Sequence, residues 1–158
     1  MLVVEPGTNA RSNLDRIKGF SQFFADRGIE DKLTLFSPRN TISEAVSDML
    51  AILGDQNEFR VVYGPANNAL LETLIESGRD EDAFRSLAKI VHDLSPHAID
   101  NLRSGLIDMV IDSNPMQQAF QAVDFIARQH GYETDTTMSA VDFQLYTSEN
   151  LPRTGNIL

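Results

Sequence analysis

Short β-rich apolar runs alternate along this chain with segments whose apolar residues recur at helical spacing, and each helical segment runs to a glycine. That rhythm predicts parallel βαβ units, because a strand buried on both faces reads as a near-continuous apolar run and needs a crossover helix to reach a parallel neighbour. LVVE opens as a buried strand. Leu14, Ile17, Phe20, Phe23 and Phe24 then recur at helical spacing from a cap at Ser12, with Asp15 three residues on, to a stop at Gly28. LTLF and TISEAVSDMLAILG form the second unit, where Thr41 and Glu44 make a capping box and Gly54 supplies the turn. FRVVY and NNALLETLIESG form the third, with Leu70, Leu71, Leu74 and Ile75 on one face and Gly78 as the stop. AKIVH precedes a helix capped by Ser95, opened by Pro96 and closed at Gly105. LIDMVID reads as the next strand. From Pro115 a longer helix carries Met116, Ala119, Phe120, Val123, Ile126 and Ala127 on one face as far as Gly131. The period then drops to two in SAVDFQLYT, the mark of an edge-like, half-exposed strand. The expected fold is α/β, a mostly parallel doubly wound sheet with helices on both faces.

A length of 158 residues with 42% hydrophobic content fits one folded unit. No apolar run approaches a membrane span, and MLVVEPGTNARSN lacks the layout of a secretory signal. The absence of Cys excludes disulfides, Cys-ligated zinc and thiol catalysis, and agrees with a cytoplasmic location. A formal net charge of -10 repels a phosphate backbone, so nucleic acid is not bound by this chain alone. A core strand at residue 2 with no preceding linker reads as a truncated chain. The ending LPRTGNIL, from residue 152 a tail, reads as loosely held.

In an open parallel sheet ligands sit beyond the carboxyl ends of the strands, where the connecting loops carry polar groups. Here those loops supply Asn9, Asn13, Arg16, Asn67, Asn68, Asp93, Asp112, Ser113 and Asn114. Amides, a carboxylate or two and a guanidinium pair with adjacent hydroxyls through two-pronged hydrogen bonds, which points to a polyol such as a sugar. Bland roles stand beside this one. Asn67 and Ser95 also read as helix caps, Asn9 and Asn13 as turn residues, residues 112–114 as the cap of the helix that Pro115 begins, and Arg16 as a surface ion pair with Asp15 or Glu5. Enzyme chemistry has less support: His92, Asp93 and His97 lack any further ligand at a metal spacing and read as structural histidines beside a carboxylate. GxSxG, GxxxxGK[ST] and GxGxxG patterns are all missing. No metal and no cofactor is expected. Asp residues at strand ends leave an α/β hydrolase as the enzyme-class rival.

The order RIKGF, VVYGPANNALLETLIESG and IVHDLSPHAIDNLRSGLIDMVIDSNPMQQAFQAVDFI resembles the effector-binding core of the lactose-repressor (LacI) family and the related periplasmic sugar-binding proteins, periplasmic-binding-protein-like type 1, over residues 3–152. The resemblance implies that Arg16, in the R-x-x-G-[FW] pattern, contacts sugar hydroxyls and that Asp93 grips two of them. Ser113 stands two residues before Pro115 where the family often has Gln. GPANN replaces the family's Asn-Asp pair, so its Asn is Asn67 or Asn68, with Ala66 at the strictly aligned place. These departures bear on the ligand's identity and not on where the site lies. The family has two similar subdomains closing on a ligand. By resemblance residues 1–151 hold the second subdomain plus a segment, at about 113–137, that crosses back to the first. The HDLSP and IDSNP wording implies a truncated transcription regulator: non-enzymatic, a homodimer in full length, sensing a sugar-like effector and touching DNA only through a helix-turn-helix head that this chain lacks. A periplasmic sugar-binding protein of an ABC transporter is the alternative.

Overall fold

The computed structural model describes residues 1–5, 10–38, 41–55, 59–67, 69–134 and 139–151, with the side chains of residues 55, 66, 67 and 69 left aside. Its elements are β1 (Leu2–Val4), α1 (Arg11–Ala25), β2 (Thr34–Phe36), α2 (Ile42–Asp55), β3 (Val61–Asn67), α3 (Ala69–Gly78), α4 (Asp82–Arg85), β4 (Ala88–His92), α5 (Pro96–Ser104), β5 (Met109–Asp112), α6 (Pro115–Gln129) and β6 (Gln144–Tyr146). The strands form one sheet in the order β2-β1-β3-β4-β5-β6. β1 to β5 are parallel and only β6 runs against its neighbour β5. This is the expected mostly parallel α/β sheet.

The order fixes the layers. The chain steps one way from β1 to β2 and the other way thereafter, and right-handed crossovers then place α1 on one face and α2, α3 and α5 on the other. Leu2, Val4, Val62, Val91 and Val110 point toward the three-helix side and pack with Met49, Leu53, Leu71, Leu74, Ile75 and Leu102. On the opposite face Phe20 of α1 stacks on Tyr63 of β3 with ring centroids 4.3 Å apart.

Local chemistry explains most element ends. The Thr41 hydroxyl accepts the Glu44 amide at 3.3 Å while the Glu44 carboxylate accepts the Thr41 amide at 3.0 Å, the reciprocal box that the sequence predicts. Ser95 accepts the Ala98 amide at 3.0 Å, Pro96 opens α5, and Gly105 closes it in the left-handed conformation, φ 74°. The start of α1 differs from expectation. The helix begins at Arg11 after Ala10, with no side-chain cap. Asp15, which the sequence pairs with Ser12, instead holds Arg11 one helical turn away, at 3.1 Å. Leu14 and Phe23 also face outward, so the packed side of α1 is the Asn13, Ile17, Phe20 and Phe24 stripe.

Three other boundaries moved. LIDMVID is a strand only from Met109, because Leu106 and Ile107 wrap back onto α5 through their amides to the Asn101 carbonyl, at 2.9 and 3.3 Å. β3 runs beyond Tyr63 to Asn67 with a register irregularity against β4. α4 carries too few residues to leave a periodic signal, yet it buries Phe84. A Cβ on Gly78 would sit 2.5 Å from the Phe84 ring, so Gly78 serves a close approach as well as a helix end.

α6 and β6 behave differently from the rest. Only Asp124 of α6 is buried, while Met116, Phe120, Val123, Phe125 and Ile126 are exposed, as are Phe143 and Leu145. A helix packs its apolar stripe when a surface is present to receive it, and in α6 that stripe stays open to solvent. No helix among the described residues is long and apolar enough to cross a membrane.

Candidate functional site

The carboxyl ends of β3, β4 and β5 meet beside α1, and Arg16, Asp93 and Ser113 gather there. Asp93 directly follows β4 with a left-handed backbone, φ 64°, a region that Asp visits more readily than most residues. Its amide donates to the Ile111 carbonyl at 2.8 Å. The Ser113 hydroxyl donates to its Oδ1 at 2.8 Å, and the His92 Nδ1 lies 3.3 Å from the same oxygen. One residue on, the Leu94 amide donates to Asp112 Oδ1 at 3.2 Å.

Arg16 projects from the second turn of α1 and is half-buried. Its guanidinium donates to the Pro65 carbonyl at 2.6 Å and to Asn13 Oδ1 at 3.5 Å. The surface ion pair with Asp15 is not formed, since Arg11 holds that carboxylate. Arg16 instead clips α1 to the irregular stretch of β3, and bulges of this kind often sit next to binding sites, where they re-aim the chain. The Asn67 main chain pairs with His92 at the end of β3. Its side chain, and the whole of Asn68 and Asn9, lie outside the described residues.

The electrostatics tie these groups together. Burial pushes the Tyr63 hydroxyl up to about 12, against the pull of Arg16 and with the push of Asp93. For His92, burial and the Arg16 charge lower the pKa and outweigh its contact with Asp93 and the field of Asp112. Burial pushes the Asp93 carboxyl up, but the Ser113 hydroxyl, the His92 ring and Arg16 together hold it below the ordinary value. Near neutral pH the corner therefore presents an ionised carboxylate, a guanidinium and a neutral imidazole.

This arrangement can bind hydroxyl groups and has little to offer covalent catalysis. Nucleophilic activation needs a base on the hydroxyl. Ser113 donates straight to a carboxylate that His92 also contacts, so the imidazole is not placed to take the hydroxyl proton. Among the described residues no three His, Asp or Glu side chains converge as a metal site. A cavity of about 250 Å³ lined by Met1, Phe24, Lys32, Phe59 and Arg60 lies at the opposite end of the sheet, beyond the amino ends of the strands. In parallel sheets that is the end ligands do not use.

Sequence reasoning named Arg16, Asp93 and Ser113, which the structure brings together, set His92 aside as a structural histidine, and passed over Tyr63 and the role of Asp112. Tyr63 could have been suspected as the aromatic that ends the apolar run of β3 before GPANN. The bland reading of residues 112–114 as a helix cap is not what the structure holds. α6 has no side-chain cap: Asn114 is left-handed with its amide on Gln117, and Asp112 and Ser113 turn back toward β4.

His92 also gives a stability signature. Its folded pKa lies below the ordinary 6.5, so the unfolded chain takes up a proton that the folded chain refuses. Its contribution is intact above that value and is lost as the pH falls through it. Thermal melts between about pH 7.5 and 5.5 are expected to show a falling midpoint, and His92→Gln should flatten that decline. Equal slopes for parent and variant would show that His92 is not its source.

The model of a family described as the periplasmic binding protein domain matches residues 1–133. No curated protein sequence matches the chain. Among solved structures, a glucose-galactose binding protein, GanP, from Geobacillus stearothermophilus superposes with a TM-score of 0.65 at 18% identity, covering 96% of this chain and 53% of that one. An ABC transporter solute binding protein from Agrobacterium vitis, bound with alpha-D-tagatopyranose, gives 0.66 at 19%, covering 97% and 51%. One from Bacillus halodurans with bound myo-inositol gives 0.66 at 16%, covering 94% and 51%. The likeness at these identities is one of fold, and the chain spans about half the length of each.

Proposed function

Because this chain belongs to the periplasmic binding protein domain family, we propose that it forms one wall of a cleft that binds a sugar or sugar-like polyol and reports its presence without chemical turnover. The observation that carries this reading is the corner where Asp93, ionised and fixed by Ser113 and His92, shares its field with Arg16 at the carboxyl ends of the parallel strands. A fixed carboxylate with lone pairs to spare accepts from adjacent hydroxyls, and a guanidinium fork donates to them. Asn67, the last residue of β3, and Asn68 after it are the further candidates for contact. The choice of polyol is supported by the structures named above, one of a glucose-galactose binding protein and two with bound tagatopyranose or myo-inositol.

In this proposal α6 and its flanks, at about 113–137, belong to a second α/β lobe that supplies the other wall; the tail expected from residue 152 lies outside the described residues. The exposed stripe of Met116, Phe120, Val123 and Ile126 supports that division. A ligand that binds the closed cleft better than the open one shifts the hinge equilibrium between them. We further propose that the whole protein is a cytoplasmic LacI-type regulator, a homodimer in which closure governs DNA binding by a separate helix-turn-helix head. The support is the HDLSP and IDSNP wording. A second reading, the sugar-binding component of an ABC transporter, is favoured by the solute binding proteins among the relatives. An in-frame helix-turn-helix encoded ahead of Met1 would select the regulator and an export signal the transporter.

Calorimetry against a panel of hexoses, pentoses and inositols tests the cleft. The 158 residues are expected to bind weakly or not at all, because half of the polar contacts lie on the other wall. Tight binding by this chain alone would remove the two-walled cleft from the proposal.

A further inference from the structure

Three consecutive residues at the end of β5 each hold the exit of β4. The Ile111 carbonyl accepts the Asp93 amide at 2.8 Å, Asp112 Oδ1 accepts the Leu94 amide at 3.2 Å, and the Ser113 hydroxyl donates to Asp93 Oδ1 at 2.8 Å. Between the first two bonds lies the left-handed Asp93, φ 64°. A non-glycine residue there costs on the order of 1 kcal/mol and persists where its surroundings over-determine it. Ile111 contributes a main-chain carbonyl that any residue would offer. Asp112 is the side chain that the sequence could have filled otherwise, and its carboxylate is buried at the strand end rather than turned to solvent.

We infer that Asp112 is a positioning residue: by fastening the Leu94 amide it holds the Asp93 backbone in the left-handed conformation that carries the Asp93 carboxylate to Ser113 and His92. The inference builds on the reading of Asp93 as the residue that grips the ligand. Asp112 itself need not touch the ligand. Its charge adds to the same corner, opposing the lowering of the His92 pKa that burial and Arg16 cause.

The test needs no sugar. Backbone amide exchange is followed by NMR in the 158-residue chain and in Asp112→Ala and Asp112→Asn, with the amides of Val91 and Val110 as controls for general opening. Loss of the acceptor in Asp112→Ala is expected to speed exchange at Leu94 about tenfold, with the controls unchanged. The Asp93 carboxyl should then titrate closer to the ordinary aspartate value as its contacts loosen. Asp112→Asn keeps an oxygen acceptor and should restore protection at Leu94. Unchanged exchange at Leu94, or an Asp93 titration that does not move, overturns the inference. Should Asp112→Ala fold poorly, Asp93→Gly provides the second arm, since glycine adopts a positive φ without strain. In that background Asp112→Ala should lower the melting temperature less than in the parent, and an equal loss overturns the inference as well. The sugar reading is judged separately, by binding to Asp93 variants, so either can fail alone.

Discussion

Asp93→Ala is expected to abolish sugar binding by the full-length protein while leaving it folded. Charged hydrogen bonds contribute about 1.5–3 kcal/mol each, and a carboxylate that accepts from two adjacent hydroxyls makes two of them. Losing both corresponds to roughly 10²–10⁴-fold in affinity. The stability cost is smaller. Asp93 is only partly buried, its half-buried partner Ser113 can turn to water, the buried His92 is held neutral, and alanine at a left-handed φ adds on the order of 1 kcal/mol. Asp93→Asn separates the two effects, since asparagine tolerates the same backbone but loses the charge: binding should fall nearly as far with almost no change in melting. Calorimetry with the sugar that the full-length protein binds, paired with thermal melts, reads both. An alanine variant that binds with parental affinity would move the site away from the end of β4.

The gathering of Arg16, Asp93 and Ser113 at the carboxyl end of the sheet was legible because it follows from topology. Alternating strands and helices require parallel pairing, parallel pairing aligns all strand ends, and the residues just after each apolar run must then share one edge. Arg16, Asp93 and Ser113 come together for that reason, with no single motif strong enough to place them. What the sequence hid was the fine direction of side chains. The Pro65 carbonyl became a partner of Arg16 because β3 continues irregularly past Tyr63, and a strand that bulges leaves no periodic trace. Asp112 and Ser113 read equally well as caps of the next helix. In the structure they turn back to the exit of β4, in a corner where Asp93 and Asn114 are left-handed, and for residues other than glycine such turns are weakly encoded. Ser12 and Asp15 matched a cap pattern, but Arg11 competes for Asp15 on the helix surface and the helix starts without a cap. Apolar periodicity likewise announced α6 as clearly as α3, because amphipathicity records which face a helix buries and not which partner receives it.

That last ambiguity sets up the second large effect. Leu74 of α3 is fully buried among residues of α2, α3 and the sheet, and Phe120 of α6 is 69% exposed. In the 158-residue chain Leu74→Ala should cost about 2–5 kcal/mol, the lost transfer energy plus the cavity left in a close-packed core. Set against a typical total of 5–15 kcal/mol, that is a large fraction of the stability, and melting should fall by roughly 5–20 °C. Phe120→Ala, although it deletes a larger side chain, should change the isolated chain by no more than about 0.5 kcal/mol, because the ring is largely exposed. Urea unfolding of the parent and both variants measures the contrast. In a protein with the second lobe present the order should invert in part, with Phe120→Ala now costing about as much as a core truncation, roughly 3–5 kcal/mol. If Phe120→Ala were to destabilise the 158-residue chain as strongly as Leu74→Ala, α6 would be docked on this lobe in solution, and the assignment of residues 113–137 to a second lobe would fail.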